Sequence, residues 1–323
     1  MIITLWGVKT LLNTRKSYLN FLVHFDLDQF GKIQKLGKFV GNVSKNFIIP
    51  LNLKFKRTYS TSETIRKENL KFISEHVPKK KSIFDLTDEE FGYYLAGFID
   101  SHEKDISIHN QIWITFNLKN QSFAYSLKKR IGFGNIKIIK NSYYLIITNI
   151  EGIIKIINLI NGKLKLENKV TQLKNLIQIN NLTIQINNSD SSLLIINTYW
   201  FAGFTDGIGS FQILIKKRES KKEFSLNYQI LFKKDFLLKE IKNIFNGGYI
   251  GFNKNLNLYY FESSRFNIAY KIIQYFNKFP LQSTKYLNFL FWRKTYIFIQ
   301  NKKHLTLEGI TKIKKMKTTL ESN

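Results

Sequence analysis

Residues 95–103 read LAGFIDSHE, and residues 201–209 read FAGFTDGIG. Both stretches contain Ala-Gly-Phe-x-Asp in the same frame, and they diverge only after the aspartate. Their glycines, Gly97 and Gly203, are 106 residues apart. A repeat at this distance indicates an internal duplication of about 100–115 residues.

The order of predicted elements after each nonapeptide is also repeated. Alternating apolar residues predict strands, and apolar residues spaced by three or four predict helices. In both halves the order is helix, two strands, helix, two strands and two helices, with a glycine pair before the third strand (Gly132 and Gly134; Gly247 and Gly248). The sequence therefore predicts an α+β fold built from two αββαββα-like halves with pseudo-twofold symmetry.

Helix-start signals and polar segments divide the chain. Thr87 is predicted to be an N-cap, and Glu90 its capping-box partner three residues later. A polar segment rich in asparagine and serine separates the two halves. The predicted divisions are a basic N-terminal extension or presequence (1–84), a first half (85–180), a linker (181–197) and a second half (198–323).

The charge of the chain indicates a polyanionic partner. The formal net charge is +27 over 323 residues, and the isoelectric point is near 9.9. Nucleic acid is the first candidate for that partner. An anionic membrane surface is the alternative, but no dense basic amphipathic helix favours it. No run of 18 apolar residues is present, so no transmembrane helix is expected.

The residue types needed for several other chemistries are scarce. Cysteine is absent, which excludes disulfides and a cysteine nucleophile. The five histidines are scattered and have no metal-ligand spacing, so zinc is disfavoured and no metal site is predicted.

The N-terminus suggests a compartment. Residues 1–59 contain only two acidic residues, Asp26 and Asp28, among ten lysines and arginines. Such a segment, ending in Arg-Thr-Tyr-Ser-Thr-Ser at 57–62, is typical of a mitochondrial presequence. The alternative is a basic extension of a protein made inside the organelle. Both interpretations predict a location in the mitochondrial matrix.

The two nonapeptides, their spacing and the glycine turns resemble the LAGLIDADG family of homing endonucleases and intron maturases. The Phe-Pro-Leu run that continues to Phe-Trp at 279–292, and Leu-Thr-Leu-Glu-Gly at 305–309, resemble it as well. The resemblance covers about residues 85–320. The family resemblance implies that the motif helices join the two halves and that the sheets form a saddle for nucleic acid.

Small residues in both motifs fit a close helix contact. Ala96 and Gly97 in the first motif, and Ala202 and Gly203 in the second, put small side chains on one helix face. Such faces let helices approach more closely than the usual ~8–10 Å. We expect these four residues to form the interface between the halves.

The eighth motif position departs from the family pattern. The resemblance implies an acidic residue there in each half, holding Mg²⁺ beside the scissile phosphates. Here the positions are His102, a poor ligand for this hard cation when neutral, and Ile208, which has no atom that can ligate it. Asp100 and Asp206 remain at the sixth position, two residues earlier, where they serve the helix junction more often than a metal. Glu103 is the other remnant: a one-residue slip of the helix end would aim it into the site, but on an ideal helix it lies about 100° away.

Basic side chains are predicted to contact phosphate groups. Lys169 and Lys285 resemble lysines that the family places near the cleavage centre; alternatively, each is a surface lysine at a helix start. Aromatic residues interleave with the basic ones, and about half of these aromatics are expected in the core. The predicted nucleic-acid contacts are Lys119, Lys169, Lys216, Lys217, Arg218, Lys233, Lys234 and Lys285.

The sequence is compatible with three functions. The first is an RNA maturase that assists splicing of a mitochondrial group I intron and has lost cleavage. The second is an active homing DNA endonuclease, for which alone Mg²⁺ is expected as a cofactor. The third is a structural component of a mitochondrial ribonucleoprotein. The expected partner is structured RNA or, alternatively, DNA, and the expected state is a monomer with internal pseudo-symmetry.

Overall fold

The computed structural model describes residues 71–102, 106–108, 110–187, 193–218 and 221–322. The side chains at 108, 193–194, 217–218 and 221–222 are outside this description. The predicted presequence at 1–59 and the side chains of Glu103, Lys217 and Arg218 therefore lie outside the described residues.

The first half contains eight helices and strands in the predicted order, with a 3₁₀ turn at Leu118–Asn120. They are α1 (Asp88–Asp100), β1 (Ser107–Ile108), β2 (Gln111–Asn117), α2 (Gln121–Ile131), β3 (Asn135–Ile139), β4 (Ser142–Ile147), α3 (Ile150–Ile160) and α4 (Glu167–Ile179). Thr87 and Glu90 form the predicted capping box at the start of α1.

The second half repeats this order and adds a short helix at its start and a long one at its end. Its elements are α5 (Leu193–Asn197), α6 (Trp200–Ile208), β5 (Gly209–Arg218), β6 (Lys221–Phe232), α7 (Asp235–Phe245), β7 (Tyr249–Asn253), β8 (Leu258–Ser263), α8 (Phe266–Lys278), α9 (Lys285–Gln300) and α10 (Leu307–Ser322). A 3₁₀ turn at Lys303–Leu305 connects the last two helices.

Each half contributes one four-stranded antiparallel sheet, and the strand orders correspond: β1-β2-β4-β3 and β5-β6-β8-β7. Helices cover one face of each sheet, and the other face is lined mainly by partly exposed side chains. The strands alternate accordingly: in β2, Ile112, Ile114 and Phe116 are buried, and the residues between them are partly exposed. The predicted α+β fold with two antiparallel sheets is confirmed.

Residues 71–77 lie along α9, although the sequence assigns them to the extension. Tyr296 donates a hydrogen bond to the carbonyl oxygen of residue 71, and Gln300 makes two hydrogen bonds to the backbone of residue 73. Arg293, itself buried, donates to the carbonyl oxygens of residues 74 and 76 at 2.7 Å each. These hydrogen bonds are to the backbone, which gives no sequence signal, and Ile73 adds a side chain that is buried in the core.

Candidate nucleic-acid interface

The two motif helices, α1 and α6, meet along their small residues. A Cβ atom added to Gly97 would overlap the carbonyl oxygen of Trp200, and one added to Gly203 would overlap the carbonyl oxygen of Tyr94. The contact is therefore reciprocal, with each glycine facing the backbone of the other helix. Ala96 and Ala202, beside these glycines, are also fully buried. The structure thus places all four predicted interface residues within the buried region where the helices meet.

Asp206 lies at this contact with its carboxylate fully buried. Tyr94, from the opposite motif helix, donates its hydroxyl to Oδ2 at 2.7 Å. The backbone N–H groups of Gln282 and Ser283 donate to the same oxygen at 2.7 and 3.2 Å, and the Ser283 hydroxyl donates to Oδ1 at 2.5 Å. The four donors compensate the cost of burying this carboxylate.

Asp100 has the corresponding environment in the first half. Trp200, from the opposite motif helix, donates its indole N–H to Oδ2 at 3.1 Å. The N–H groups of Lys165 and Leu166 donate at 2.7 and 3.4 Å. Burial raises the pKa of Asp100 to about 7, although these hydrogen bonds and the charge of Lys169 act to lower it. Both motif aspartates are therefore fully buried and bonded across the contact between the helices.

The C-terminal ends of α1 and α6 also converge, because a Cβ added to Gly207 would overlap the side chain of Ser101. The eighth motif residues follow directly. His102 has its Nδ1 2.8 Å from the carbonyl oxygen of Phe98, and its ring lies 4.7 Å from the Phe98 ring. Ile208 packs against the core.

One imidazole and one aliphatic side chain do not fit Mg²⁺, which prefers oxygen ligands. Asp100 and Asp206, the described carboxylates of the two motifs, are committed to the hydrogen bonds between the halves. Among the described residues, no group of three or more His, Asp or Glu side chains is arranged to hold a metal ion. The remnant Glu103 lies outside the described residues.

Lys285 and Lys169 are drawn into the protein. Lys285 begins α9 and donates to the carbonyl oxygens of Thr205 and Gly207, at 3.1 and 3.0 Å. A cation at this position stabilises the C-terminal end of α6. Burial lowers the pKa of Lys285 to about 8, against the opposing charge of Asp206. Lys169 lies in the first turn of α4 and is fully buried, so the alternative of a surface lysine is wrong for it.

The other described lysines of the predicted contact set, Lys119, Lys216, Lys233 and Lys234, are exposed. Two of them also bridge the halves. Lys119 donates to the carbonyl oxygen of Ser322 at 3.3 Å, and Lys234 donates to the side chain of Asn168 at 3.4 Å.

The aromatic residues interleaved with these lysines divide between the two faces of the sheets. Phe116, Phe211 and Tyr228 are buried in the core. Trp113 is partly exposed on the opposite face. The two-residue period of each strand explains the division, since Phe116 shares its parity with apolar neighbours and Trp113 does not.

Amide side chains on the second sheet were missed by the sequence reasoning. Gln212 on β5 and Gln229 on β6 are partly exposed on the uncovered face, and Asn227, which pairs with Gln212, is buried and donates to it at 3.1 Å. Their signal is polarity at every second position of an otherwise apolar strand. Amides on a surface strand suit recognition of base edges, adenine above all.

Comparison with known proteins supports this assignment of elements. Residues 201–296 match the family model described as LAGLIDADG endonuclease. Over 266 residues the chain is 41% identical to the cox1 intron-2 37.2 kDa protein of Schizosaccharomyces pombe, covering 79% of this chain and 80% of the relative. The chain belongs to the LAGLIDADG endonuclease family. The resemblance predicted from the two nonapeptides is thereby confirmed.

More distant relatives are named as intron-encoded. The intron-encoded DNA endonuclease aI3 of Saccharomyces cerevisiae is 26% identical over 273 residues, covering 67% of this chain and 65% of the relative. Among solved structures, I-AabMI bound to uncleaved DNA gives a TM-score of 0.57 at 22% identity, covering 70% of this chain and 98% of that one. That likeness is one of fold.

No helix among the described residues combines the length and the apolar character that a membrane span requires.

Proposed function

We propose that this LAGLIDADG protein binds nucleic acid without cleaving it, and that it assists splicing of a mitochondrial group I intron as an RNA maturase. Structured RNA is its main partner, and the exposed lysines and the uncovered sheet faces form the binding surface. The proposal needs no metal cofactor.

The observation that carries the proposal is the pair His102 and Ile208 at the converging ends of α1 and α6. Paired-metal cleavage needs oxygen ligands from both sides of the scissile phosphates. Neither residue supplies a carboxylate, and Asp100 and Asp206 are bound within the joint. The contacts that hold the halves together have been kept, whereas the ligands that cleavage requires have not.

The relatives support an intron-linked role. The Schizosaccharomyces pombe relative is named for the second intron of cox1, and several others are named as intron-encoded. With the acid-poor N-terminal segment, these names favour the mitochondrion as the compartment. The net charge of +27 fits a partner rich in phosphate.

A working homing endonuclease is the second candidate. It is favoured by the relatives named as DNA endonucleases in Dictyostelium discoideum and Saccharomyces cerevisiae. It requires Glu103 to act as a ligand in place of His102.

The test is to incubate the full chain with Mg²⁺ and a pool of DNA carrying intron-insertion sites of the host mitochondrial genome. We expect no site-specific cuts, together with tight binding to a structured intron RNA. Cuts that disappear in a Glu103→Gln variant would establish the endonuclease instead. Crosslinking the protein to RNA in mitochondria tests the structural role. Recovery of ribosomal RNA in place of intron RNA would favour that role.

A further inference from the structure

Trp113 lies in the middle of β2, on the uncovered face of the first sheet. Across the strands it pairs with Ile146, and the next residue on this face, Thr115, pairs with Tyr144. Lys137 on β3 pairs with Tyr144 from the other side. Trp113, Tyr144 and Lys137 thus form a patch that crosses three strands, and we call it the aromatic patch.

The Trp113 ring is held in place and yet remains open to solvent. Its centroid is 5.6 Å from that of Tyr144, with 69° between the planes. Its indole N–H donates to the side chain of Gln111 at 3.2 Å. Trp200 and Trp292, the other described tryptophans, are fully buried. Trp113 therefore lies outside the core, and it packs against Tyr144 on the surface of the sheet with part of its ring exposed.

The charges around the aromatic patch favour a polyanion. The described strands of the first sheet, β1 to β4, contain no aspartate or glutamate, while Lys137 and the hairpin residue Lys140 are exposed. The uncovered face of the second sheet differs, because it carries charges of both signs: Glu223 opposite Lys216, and Glu262. Phosphate is attracted to the first face and repelled by part of the second.

The chemistry of the patch fits an unpaired base better than a base pair. In a duplex the base faces are stacked inside, and only the edges with their donors and acceptors reach a sheet. The one polar group of Trp113 is already bonded to Gln111. An unpaired base exposes its π face, which stacks on an aromatic ring beside a cation.

We propose that the aromatic patch is a stacking site for an unpaired base of the bound RNA, with Trp113 as the platform. This inference rests on the proposed function, since it assumes that RNA is the partner. It gives the two halves different tasks: the first sheet holds single-stranded nucleotides, and the amide-bearing second sheet contacts base edges.

The test uses tryptophan fluorescence and binding of an oligouridine of about ten nucleotides, a length suited to such a site. Trp6, outside the described residues, is first changed to Phe to remove its signal. We expect the oligouridine to quench Trp113. The Trp113→Leu variant should lose roughly 5- to 100-fold in affinity, because it keeps apolar bulk without a π face, and Trp113→Phe should retain most of the affinity.

The matched control is Tyr125→Leu, which removes an exposed aromatic side chain from α2, on the covered side of the sheet. This variant should bind as the parent does, and thermal melts should show that all variants are folded. Unchanged affinity in Trp113→Leu, with RNA binding intact, would overturn the stacking site and leave the maturase proposal standing. Failure of the parent to bind any RNA would overturn both. Quenching by a DNA duplex alone would assign the patch to duplex contact and also overturn the inference.

Discussion

Tyr94 and Trp200 occupy equivalent positions in the two motif helices, and each donates a hydrogen bond to the motif aspartate of the opposite helix. They are 106 residues apart, the same interval that separates Asp100 from Asp206. The pseudo-twofold symmetry is thus preserved in the hydrogen bonds, although one donor is a phenol and the other an indole.

Replacing Tyr94 by Phe should destabilise the protein by about 1–3 kcal/mol, because the buried carboxylate of Asp206 loses one of its donors. The free energy of unfolding in urea measures this loss. Tyr125→Phe serves as the control, since it removes the hydroxyl of an exposed tyrosine on α2. Equal stability of the two variants would argue against the bond between Tyr94 and Asp206.

The pH dependence of stability should report on Asp100. Because burial raises its pKa to about 7 in the folded protein, from an ordinary value of 3.8, the folded state retains this proton more tightly than the unfolded state. The resulting contribution to stability is present below about pH 4 and is lost as the pH rises to about 7. Its slope approaches about 1.4 kcal/mol per pH unit within that window.

Urea unfolding between these pH values measures the slope, which should disappear in Asp100→Asn. Only the slope is compared, because the amide also changes the hydrogen bonds to Trp200. Glu167→Gln, at an exposed carboxylate, should keep the slope of the parent. A parent protein whose stability does not fall over this range would contradict the prediction.

Gly97→Ala and Gly203→Ala should each cost about 1–3 kcal/mol or more, since the added methyl group meets backbone of the opposite helix. Backbone there cannot move without separating the halves. Gly152→Ala is the matched variant, because its methyl group would meet side chains of Phe133 and Ile147 within the first half.

Binding to an intron RNA distinguishes loss of the contact between the halves from loss of packing within the first half. The Gly97 and Gly203 variants should also weaken the RNA contacts made by the second half. Gly152→Ala should lower only the stability of the first half. Limited proteolysis shows which half is released. Variants of Gly97 and Gly203 that melt at the parent temperature would remove the basis for the close contact.

The salt dependence of nucleic-acid binding should distinguish surface lysines from buried ones. If the uncovered faces contact 6–10 phosphates, affinity should fall about 10³–10⁵-fold between 50 and 200 mM salt. Lys216→Ala, at an exposed position of β5, should reduce the slope of log K against log salt by about one. Lys285→Ala should leave that slope unchanged and lower stability, because Lys285 is bonded to the end of α6. A smaller slope and unchanged stability in Lys285→Ala would instead indicate that Lys285 contacts a phosphate.

Local sequence signals predicted much of the fold. The capping box of Thr87 and Glu90 fixes the start of α1, and the two-residue alternation of β2 fixes which side chains are buried. Such signals depend on neighbours in the chain, so they can be read without knowing the tertiary contacts. Because the chain is duplicated, the elements predicted for the first half also predict those of the second.

The candidate site was less predictable, because its decisive contacts join residues far apart in the chain. Nothing local to Lys169 indicates that it will be fully buried, and nothing local to Lys285 indicates that it will bond the end of α6. One donor to each of Asp100 and Asp206 comes from the opposite motif helix, 100 and 112 residues away, and the others come from segments 65–77 residues away. A signal was nevertheless present: Tyr94 and Trp200 are polar-tipped side chains at equivalent places in two otherwise apolar helices.

The crossed hydrogen bonds limit which halves can be combined in one chain. A half transplanted from a relative would bring its own motif aspartate. Its motif helix would also have to donate an N–H or O–H group to the motif aspartate of the host half. A phenylalanine or leucine at the place of Tyr94 or Trp200 would leave the host carboxylate buried and short of a donor. Compatibility between halves therefore depends on this donor as well as on the glycine of each motif, and exchange is favoured between partners that carry both.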